Sequence, residues 1–277
     1  MMIEKETSAL TGPERLKAFE DNWQTEMGAW FPGERVVLRG KDVFSALNNY
    51  TWMEYLYYAV TGIHSPKHAR VIEGMWTLSS SFPDPRLWNN RIAAHAGTTG
   101  STGALAMSAG IAASEATIYG LKPIKGAIDF FYRAITEKNK GSSIETIVKN
   151  ELKKNRSVSG YGRPLVDEDE RIAPVLKFLA QQGANKGPFI DLAFEVDDYL
   201  KNSRYRYKLN IAGLNAATAA DSGVTADEYY YMSTLAFSAG ILPCYIDAKN
   251  KPGCFFPLPT DRINATGAQA TRSWKAL

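Results

Sequence analysis

The chain has 277 residues, of which 45% are hydrophobic, enough to bury a core in one large or two modest domains. Its 32 Lys and Arg residues against 29 Asp and Glu leave a net charge of +3, which argues against a strong attraction to nucleic acid or to an anionic membrane. Cys244 and Cys254 are too few for a disulfide framework, although they could pair with each other, and the charged N-terminus lacks the apolar run of a secretory signal. We therefore expect a cytoplasmic protein.

Helices dominate the predicted secondary structure. The β signal is confined to GERVVLRGKDV, residues 33–43, where apolar residues between glycines predict a small ribbon. Capping boxes, in which a Ser or Thr and a Glu three residues later satisfy the first amides of a helix, occur at Thr51 with Glu54, Ser142 with Glu145 and Thr225 with Glu228. Gly62 predicts the end of the first of these helices. The sequence therefore predicts an all-α fold with a minor N-terminal β ribbon.

Two segments, residues 97–120 and 209–223, consist largely of Gly, Ala, Ser and Thr. In the first segment a small residue recurs at every fourth position, at Ala104, Ser108, Ala112 and Ala116. One helix face would then be so small that a neighbouring backbone can approach closely. Both segments are predicted to be central, tightly packed helices. A membrane span is not predicted, because Glu115 and the serines interrupt the apolar run that it needs.

Further helices are predicted at residues 124–135, 144–155, 171–183 and 187–203, joined by polar linkers. Residues 241–267 are rich in Pro and Gly. We expect this last region to be an extended tail that lies over the body of the protein.

The three histidines offer little evidence of chemistry. His64 and His68 are four residues apart, a spacing that can bind a metal ion on one helix face. However, Ser65 and Pro66 are typical of the cap and first residue of a helix, which leaves His64 outside it, so no metal site is predicted. His95 enters the small-residue segment, and the sequence is equally compatible with a hydrogen-bonded core histidine and a ligand contact there.

Two charged runs each have two interpretations. The acidic residues 167–170 could bind a cation, but acids at the start of a helix are favoured by its dipole and usually face water, and we prefer this second interpretation. In KNSRYRYKLN, the cations Arg204, Arg206 and Lys208 alternate with Tyr205 and Tyr207. These side chains could stack a base and hold phosphates, and a plain basic surface strip explains the same pattern.

Six segments follow one another in a fixed order over nearly the whole chain. They are YLYYAVTGIHSP, WNNRIAAHAGTTGST, GLKPIKGAIDFF, GYGRPLVDEDERI, LNIAGLNAATA and DRINATG. In this order they resemble the citrate synthase family, and in length and N-terminal pattern its short citryl-CoA lyase type. The family patterns are L-x-x-G-x-x-P, D-H-x-x-N-A-S-T, G-P-L-H-G-G-A, G-x-G-H-R-V-x-x-x-D-P-R, P-N-V-D-x-x-S-G and R-P-x-x-x-Y-x-G. No segment is specific by itself, and the order carries the resemblance.

The resemblance implies four catalytic positions, and the sequence departs from the family at each. In the family, histidines of the second, third and fourth patterns help hold the oxo-acid, stabilise the enol of the acyl-CoA and polarise the oxo-acid carbonyl, while the aspartate of the fifth removes the α-proton. The corresponding residues here are Asn90, Lys125, Arg163 and Ala212. Asp221 lies nine residues beyond Ala212, too far along a helix to replace that aspartate directly. Ordinary citrate synthesis is therefore not expected.

Cations at two of these positions are compatible with changed chemistry. Lys125 and Arg163, with Arg91 as a third cation, would bring positive charge to one cleft, opposed only by Asp129, and such a cleft should hold carboxylates. A lysine with a depressed pKa can also act as a base or form a Schiff base. Drift explains the same residues, because Lys125 could reach solvent and Arg163 could pair with the acids that follow it.

The resemblance implies a large domain, residues 1–140 with 205–277, and a small domain, residues 141–204, in a homodimer with sites in the clefts between domains. The main hypothesis is an enzyme that binds a carboxylate and an acyl-CoA and makes or breaks a carbon-carbon bond by an altered mechanism. The alternative is a catalytically inactive paralogue that binds a metabolite or regulates a partner protein.

The main hypothesis assigns roles to ten residues. They are Lys125, Arg163 and His95 for catalysis, Asn90, Arg91, Asp129 and Arg262 for substrate binding, and Arg204, Arg206 and Lys208 for CoA phosphates. CoA or an acyl-CoA is expected as a co-substrate. No permanently bound cofactor, metal ion, nucleic acid or membrane is expected.

Overall fold

The computed structural model describes residues 11–21, 25–80, 82–163, 166 and 168–252. By its internal contacts the chain divides into two units, residues 1–66 and residues 67–277. The predicted division into a large domain and a small domain of residues 141–204 stays a prediction. No helix within the described residues is long and apolar enough to cross a membrane.

The first unit contains a short helix, a three-stranded ribbon and a second helix. In chain order these are α1 (Gly12–Ala18), β1 (Gly28–Phe31), β2 (Arg35–Leu38), β3 (Lys41–Asp42) and α2 (Trp52–Thr61). The strands are antiparallel in the order β1-β2-β3, with Ala29 opposite Val37, which confirms the predicted ribbon and adds one strand before it. The capping box of Thr51 and Glu54 opens α2, and Gly62, at φ 74°, ends it as predicted.

The second unit is helical. Its helices are α3 (Pro66–Ser79), α4 (Trp88–Thr98), α5 (Gly103–Ala113), α6 (Leu121–Asn139), α7 (Ile144–Asn155), α8 (Ile172–Gln181), α9 (Pro188–Asn202), α10 (Ile211–Asp221), α11 (Ala226–Ser233) and α12 (Ser238–Lys249). The all-α prediction is confirmed. Because α3 begins at Pro66, His64 lies before the helix, where its ring stacks on that of Tyr50 at 4.2 Å.

The helix α10 lies at the centre of the second unit, as predicted for residues 209–223. It packs against α6 and α9. Nine of its residues are buried, namely Ile211, Gly213, Leu214, Asn215, Ala216, Ala217, Thr218, Ala219 and Ala220. Its last residue, Asp221, accepts hydrogen bonds from the amides of Phe189 and Ile190, both at 3.0 Å, and so holds the start of α9.

The other small-residue segment is not central, so that prediction is wrong. It divides into the end of α4, a turn through Gly100 at φ 74° and the separate helix α5. Only Ala106 and Gly110 of α5 are buried, against a cluster that includes Ile241 and Tyr245 of α12. A Cβ at Gly110 would lie 3.0 Å from Ile241, so the helix face with Gly110 can pack closely against this cluster. The opposite stripe at Ala104, Ser108 and Ala112 is exposed.

Two element boundaries differ from prediction. The N-cap of α7 is Ser143, whose hydroxyl accepts a hydrogen bond from the amide of Thr146 at 3.2 Å, rather than Ser142. The start of the predicted tail is helical, since α12 continues to Lys249 with Pro243 inside it. Cys244 is buried in α12, and the predicted tail from residue 253 onward, with Cys254, lies outside the described residues.

Candidate functional site

The turn Ser159–Gly162 contacts the start of α10. The carbonyl of Gly160 accepts a hydrogen bond from the amide of Asn210 at 2.9 Å, and the Asn210 side-chain amide donates to the carbonyl of Gly162 at 2.8 Å. A Cβ at Gly213 would lie only 2.5 Å from the carbonyl oxygen of Gly160. Glycine at both positions therefore lets the turn and the helix approach backbone to backbone.

The same turn contacts α6. A Cβ at Gly126 would lie 2.8 Å from the hydroxyl of Ser159, and one at Gly160 would lie 3.3 Å from Ala127. Tyr161 then anchors the turn to α9 by donating its hydroxyl to the carbonyl of Ala193 at 2.8 Å. Three segments that belong to the family patterns therefore meet in one place: the start of α6, the turn and the start of α10. This place is called the junction below.

Asp169 joins this junction as a buried carboxylate. It accepts hydrogen bonds from the amide of Ile211 at 2.9 Å and from Nε and Nη2 of Arg171, both at 2.8 Å, and it lies 3.5 Å from Arg163. Burial is the largest single influence on the pKa of Asp169 and would raise it. The hydrogen bonds from Arg171 and Ile211 together outweigh burial, so the pKa lies below its ordinary value. The expectation that the acidic run faces water is therefore wrong for Asp169, whose contacts outweigh hydration.

A buried polar network continues from Asp169 to the end of α3. Arg171 donates to the carbonyl of Ser79 at 3.0 Å, and the side-chain amide of Asn215 donates to the Ser79 hydroxyl at 2.7 Å. The carbonyl oxygen of the Asn215 side chain is buried and accepts no hydrogen bond from any described residue. No local pattern in the sequence predicts a role for Arg171, Ser79 or Asn215. One signal existed, because Asp169-Glu170-Arg171 matches the D-P-R that ends the fourth family pattern.

No model of a known protein family matches the sequence, and no curated protein matches it. Solved structures do match. The citryl-CoA lyase of Hydrogenobacter thermophilus aligns with a TM-score of 0.79 and 17% identity over 92% of this chain and 98% of that one. The fold is that of the citrate synthases. For an ATP citrate lyase from Methanothrix soehngenii the TM-score is 0.71 at 17% identity, over 94% of this chain.

A citrate synthase from Thermoplasma acidophilum has a TM-score of 0.63 at 16% identity over 82% of this chain. The chain spans 45% of the ATP citrate lyase and 60% of that citrate synthase, but almost the whole citryl-CoA lyase. At this identity the similarity establishes the citrate-synthase-like fold, which confirms the predicted fold.

Within the citrate-synthase-like fold, Arg163 lies at the junction. The sequence predicts that no carboxylate other than Asp129 opposes it, but two further carboxylates lie beside it. Its Nη1 donates to Oε2 of Glu170 at 2.5 Å and to the carbonyl of Glu168 at 3.3 Å, and 28% of its side chain is exposed. Asp169 is its second carboxylate neighbour. The expectation that only Asp129 opposes the cations is therefore wrong here, because the carboxylates of Asp169 and Glu170 lie beside Arg163.

Lys125, in the first turns of α6, also has a carboxylate partner. Its Nζ lies 2.5 Å from Oδ1 of Asp227 on α11 and 5.5 Å from the centre of the Tyr230 ring. The hydrogen bond with Asp227 is the main cause that raises the pKa of Lys125, with a smaller contribution from the exposed Asp129. Lys125 is therefore held as a cation, which does not favour a role as a base or a Schiff-base amine.

Two predicted site residues of α4, Asn90 and Arg91, form hydrogen bonds with the segment that precedes this helix. The side-chain amide of Asn90, which is fully buried, donates to the carbonyls of Phe82 at 2.5 Å and Asp84 at 3.1 Å. Within the part of the chain that the structure describes, its Oδ1 has no partner. Arg91 donates to the carbonyls of Pro85 and Arg86 at 3.2 and 3.0 Å.

His95 lies in the last turn of α4, partly exposed, and not at the start of the next helix as expected. Among the described residues, no hydrogen bond or ion pair joins Asn90, Arg91 or His95 to Lys125 or Arg163.

The three predicted phosphate-binding cations do not share one partner. Arg204 donates to the hydroxyl of Tyr205 at 2.7 Å and stacks over its ring at 4.8 Å. Arg206 is exposed at φ 54°, and Lys208 pairs with Glu168 at 2.7 Å beside the junction. Arg262 lies outside the described residues. Within the described residues, no cluster of three or more His, Cys, Asp or Glu side chains could hold a metal ion.

Proposed function

We propose that the chain binds an acyl-CoA thioester together with a carboxylate and makes or breaks a carbon-carbon bond. The observation that carries the proposal is the similarity to a citryl-CoA lyase over 98% of that chain. Related solved structures include an ATP citrate lyase in complex with citrate and coenzyme A, and a citrate synthase with carboxymethyl coenzyme A and oxaloacetate. We extend these ligands to this chain because the fold is similar and because the segments that resemble the family patterns lie in contact.

The charges at the site suit the intermediates of such a reaction. The bond that breaks joins the carbon α to the thioester carbonyl to a carbon that bears a hydroxyl. Its electron pair moves into the thioester as an enolate, while the hydroxyl passes its proton to water and becomes a carbonyl. The enolate then takes up a proton to give the shorter acyl-CoA. A fixed positive charge near the enolate oxygen lowers the barrier. We assign this role to Lys125, because Asp227 keeps it charged. We assign carboxylate binding to Arg163, whose planar guanidinium matches a carboxylate.

Both cations would exchange their present partners for the substrate. Asp227 is 62% exposed and Glu170 is 70% exposed. Exposed ion pairs contribute only about 0–1 kcal/mol, so a bound substrate carboxylate or enolate can displace either partner at small cost. Asp169, which is buried, would stay in place behind Arg163 and orient it. Asn90 and Arg91 would act by holding residues 82–87, and His95, Asp129 and Arg262 remain proposed site residues.

A thermal-shift panel tests ligand binding. The ligands are CoA, acetyl-CoA, citrate and oxaloacetate, on the wild type, Arg163→Gln and the matched control Arg15→Gln, which changes an exposed arginine of α1. At 100 times its Kd a ligand should stabilise the wild type by about 2.7 kcal/mol. We expect this shift for a thioester and a carboxylate in the wild type and Arg15→Gln, and its loss for the carboxylate in Arg163→Gln. If no ligand shifts the wild type, the proposal is wrong.

A thiol-release assay tests the reaction. Acetyl-CoA with oxaloacetate should release no measurable CoA, because none of the four family positions carries the family's acid-base residue. Other acyl-CoA and oxo-acid pairs are then assayed for release that Lys125→Ala abolishes. Robust turnover of acetyl-CoA and oxaloacetate would show that the motif alignment is wrong.

A second candidate is a catalytically inactive paralogue that binds a metabolite or regulates a partner. The observation that favours it is that both Lys125 and Arg163 already pair with carboxylates of their own chain. This candidate predicts that Lys125→Ala and Arg163→Ala leave ligand-induced stabilisation unchanged. Loss of stabilisation in either variant would favour the enzyme.

We further propose that the chain forms a homodimer through the exposed face of α5. Leu105 is 63% exposed on this helix, next to the small residues Ala104, Ser108 and Ala112, and Ile118 is 79% exposed just beyond it. Small residues on an exposed helix allow the backbone of a second helix to approach, and burial of the two large apolar side chains would favour association.

A further inference from the structure

A groove lies on the second unit between α7 and α9, outside the junction described above. Its volume is about 780 Å³, and it is lined by Glu145, Lys149, Leu152, Lys153, Tyr199, Ser203, Arg204 and Tyr205. A volume of this size suits a small organic ligand, since such sites typically measure about 300–1,000 Å³. Neither Lys125 nor Arg163 lines it.

The groove is positively charged. Three cations, Lys149, Lys153 and Arg204, face one carboxylate, Glu145, which leaves two positive charges. Glu145 pairs with Lys149 along the helix. Lys153 forms no ion pair with any described residue, and among the described residues the guanidinium of Arg204 donates a single hydrogen bond, to Tyr205. An arginine has five N–H donors, so Arg204 has capacity for an anionic ligand.

Neutral donors surround these cations. The hydroxyls of Tyr199 and Tyr205 belong to the same lining, and the hydrogen bond with Glu145 raises the pKa of Lys149. Ser203 also lines the groove, but its hydroxyl already donates to the carbonyl of Leu200 at 2.7 Å. The groove also lies beside the last turns of α7 and α9. Carbonyls at helix C-termini are partly negative and repel anions, so any affinity for an anion must come from the lysines and Arg204.

We propose that this groove binds the phosphomonoester of a nucleotide. A phosphomonoester carries about 1.5 to 2 negative charges at neutral pH, which matches the two uncompensated positive charges better than a single carboxylate does. Its oxygens can accept from a guanidinium, two ammonium groups and hydroxyls at once. The groove is too large for phosphate alone, and the tyrosine rings that line it offer a base a stacking surface.

Two sources could supply this phosphomonoester. One is the 3′-phosphate of CoA, in which case the inference rests on the proposed function and locates the end of CoA distant from the thioester. The other is a free mononucleotide, which would make the groove independent of the reaction at Arg163 and Lys125. The chemistry of recognition is the same for both.

Isothermal titration of the full chain tests the groove. The ligands are inorganic phosphate, AMP, CoA and dephospho-CoA, which lacks the 3′-phosphate. The variant combines Arg204→Gln and Lys153→Gln, both at exposed positions where folding should be retained, and the matched control is Lys177→Gln on the exposed face of α8. Thermal unfolding of each protein confirms that folding is unchanged.

The two sources give different results. If CoA is the source, CoA should bind the wild type and Lys177→Gln at least about tenfold more tightly than dephospho-CoA, and the double variant should lose this preference. If a free nucleotide is the source, AMP should bind and weaken at least about tenfold in the double variant, while CoA and dephospho-CoA behave alike. Affinities for all four ligands that do not change in the double variant would overturn the inference.

Failure of the groove and failure of the proposed function are separable. Suppose that CoA and a carboxylate stabilise the chain through Arg163, while the double variant binds CoA as tightly as the wild type. The inference about the groove is then wrong and the proposed function is retained. The reverse holds if AMP binding depends on Arg204 and Lys153 but no thioester or carboxylate shifts the wild type.

Discussion

Two helices of nearly the same composition, α5 and α10, lie in opposite environments. Both consist mainly of Gly, Ala, Ser and Thr with a few larger apolar residues. Nine residues of α10 are buried, and its start contacts the Gly160 turn and Asp169. On α5 only Ala106 and Gly110 are buried, and the hydroxyl of Thr102 caps its start.

The difference shows what small residues do and do not specify. They allow a neighbouring backbone to approach closely, but they do not say whether that neighbour is another helix of the same chain or a second molecule. For α10 the neighbours are the turn, α6 and α9 of its own chain. For α5 the stripe faces outward, and we propose that a second copy covers it.

The largest effect is expected from the contacts that hold the two helix starts. Asp169→Asn leaves Arg171 with an uncompensated charge at a site where the Asp169 side chain is fully buried. Breaking a buried pair in this way costs about 3–5 kcal/mol. The melting temperature should fall by on the order of 10 °C.

The matched change in α5, Thr102→Ala, removes one N-cap hydrogen bond and should cost about 1 kcal/mol. Urea unfolding of both variants measures the two costs. Equal costs would mean that Asp169 does not hold α10 more firmly than a single cap holds α5.

The second prediction concerns close approach of the backbone. Gly213→Ala in α10 places a Cβ 2.5 Å from the carbonyl oxygen of Gly160, a backbone atom that cannot rotate away, and should destabilise the fold by about 1–3 kcal/mol. Gly103→Ala in α5 places a Cβ in ordinary contact with Tyr245, at 3.4 Å. The second change should leave the free energy of unfolding unchanged or raise it by up to about 1 kcal/mol, because alanine has a higher helix propensity than glycine. Thermal unfolding checks the opposite signs.

The third prediction concerns pH. The folded state lowers the pKa of Asp169 from its ordinary value of 3.8, so its contribution to stability is fully present above that value. The contribution is lost as pH falls through the lowered folded value. Between pH 6 and pH 3 the wild type should therefore lose more stability than Asp169→Asn, in which the other carboxylates still titrate. Urea midpoints measured at several pH values give the difference, and parallel curves would contradict the assigned contacts.

Local signals predicted the fold well wherever the physical cause is local. The boxes at Thr51 and Thr225 and the stop at Gly62 depend on residues within one turn, and all three occur. At Ser142 and Ser143 two adjacent serines can each cap a helix, and the chain uses the second. The order of six segments then identified the fold that local signals alone could not.

The candidate site was harder to predict because its contacts are long-range. Asp169 belongs to an acidic run that is typical of a solvated helix start, and nothing within that run indicates that the amide of Ile211 will reach it. Likewise Asp227 lies about one hundred residues after Lys125, and their pairing depends on how α11 packs on α6. The order of the motifs predicts that Lys125 and Arg163 stand at positions of family histidines, but it does not indicate which carboxylates pair with them.

The smallest change in the stability of a single chain is expected on the exposed stripe of α5. Ser108→Arg should change the free energy of unfolding by no more than about 0.5 kcal/mol, as at other exposed positions. If a second copy covers the stripe, however, the long charged side chain prevents close approach of the two backbones. Light scattering coupled to size exclusion should then show a dimer for the wild type and for the control Ala180→Arg on α8, but a monomer for Ser108→Arg. A wild-type monomer, or a dimer that survives Ser108→Arg, would mean that the small residues of α5 serve no interface between copies.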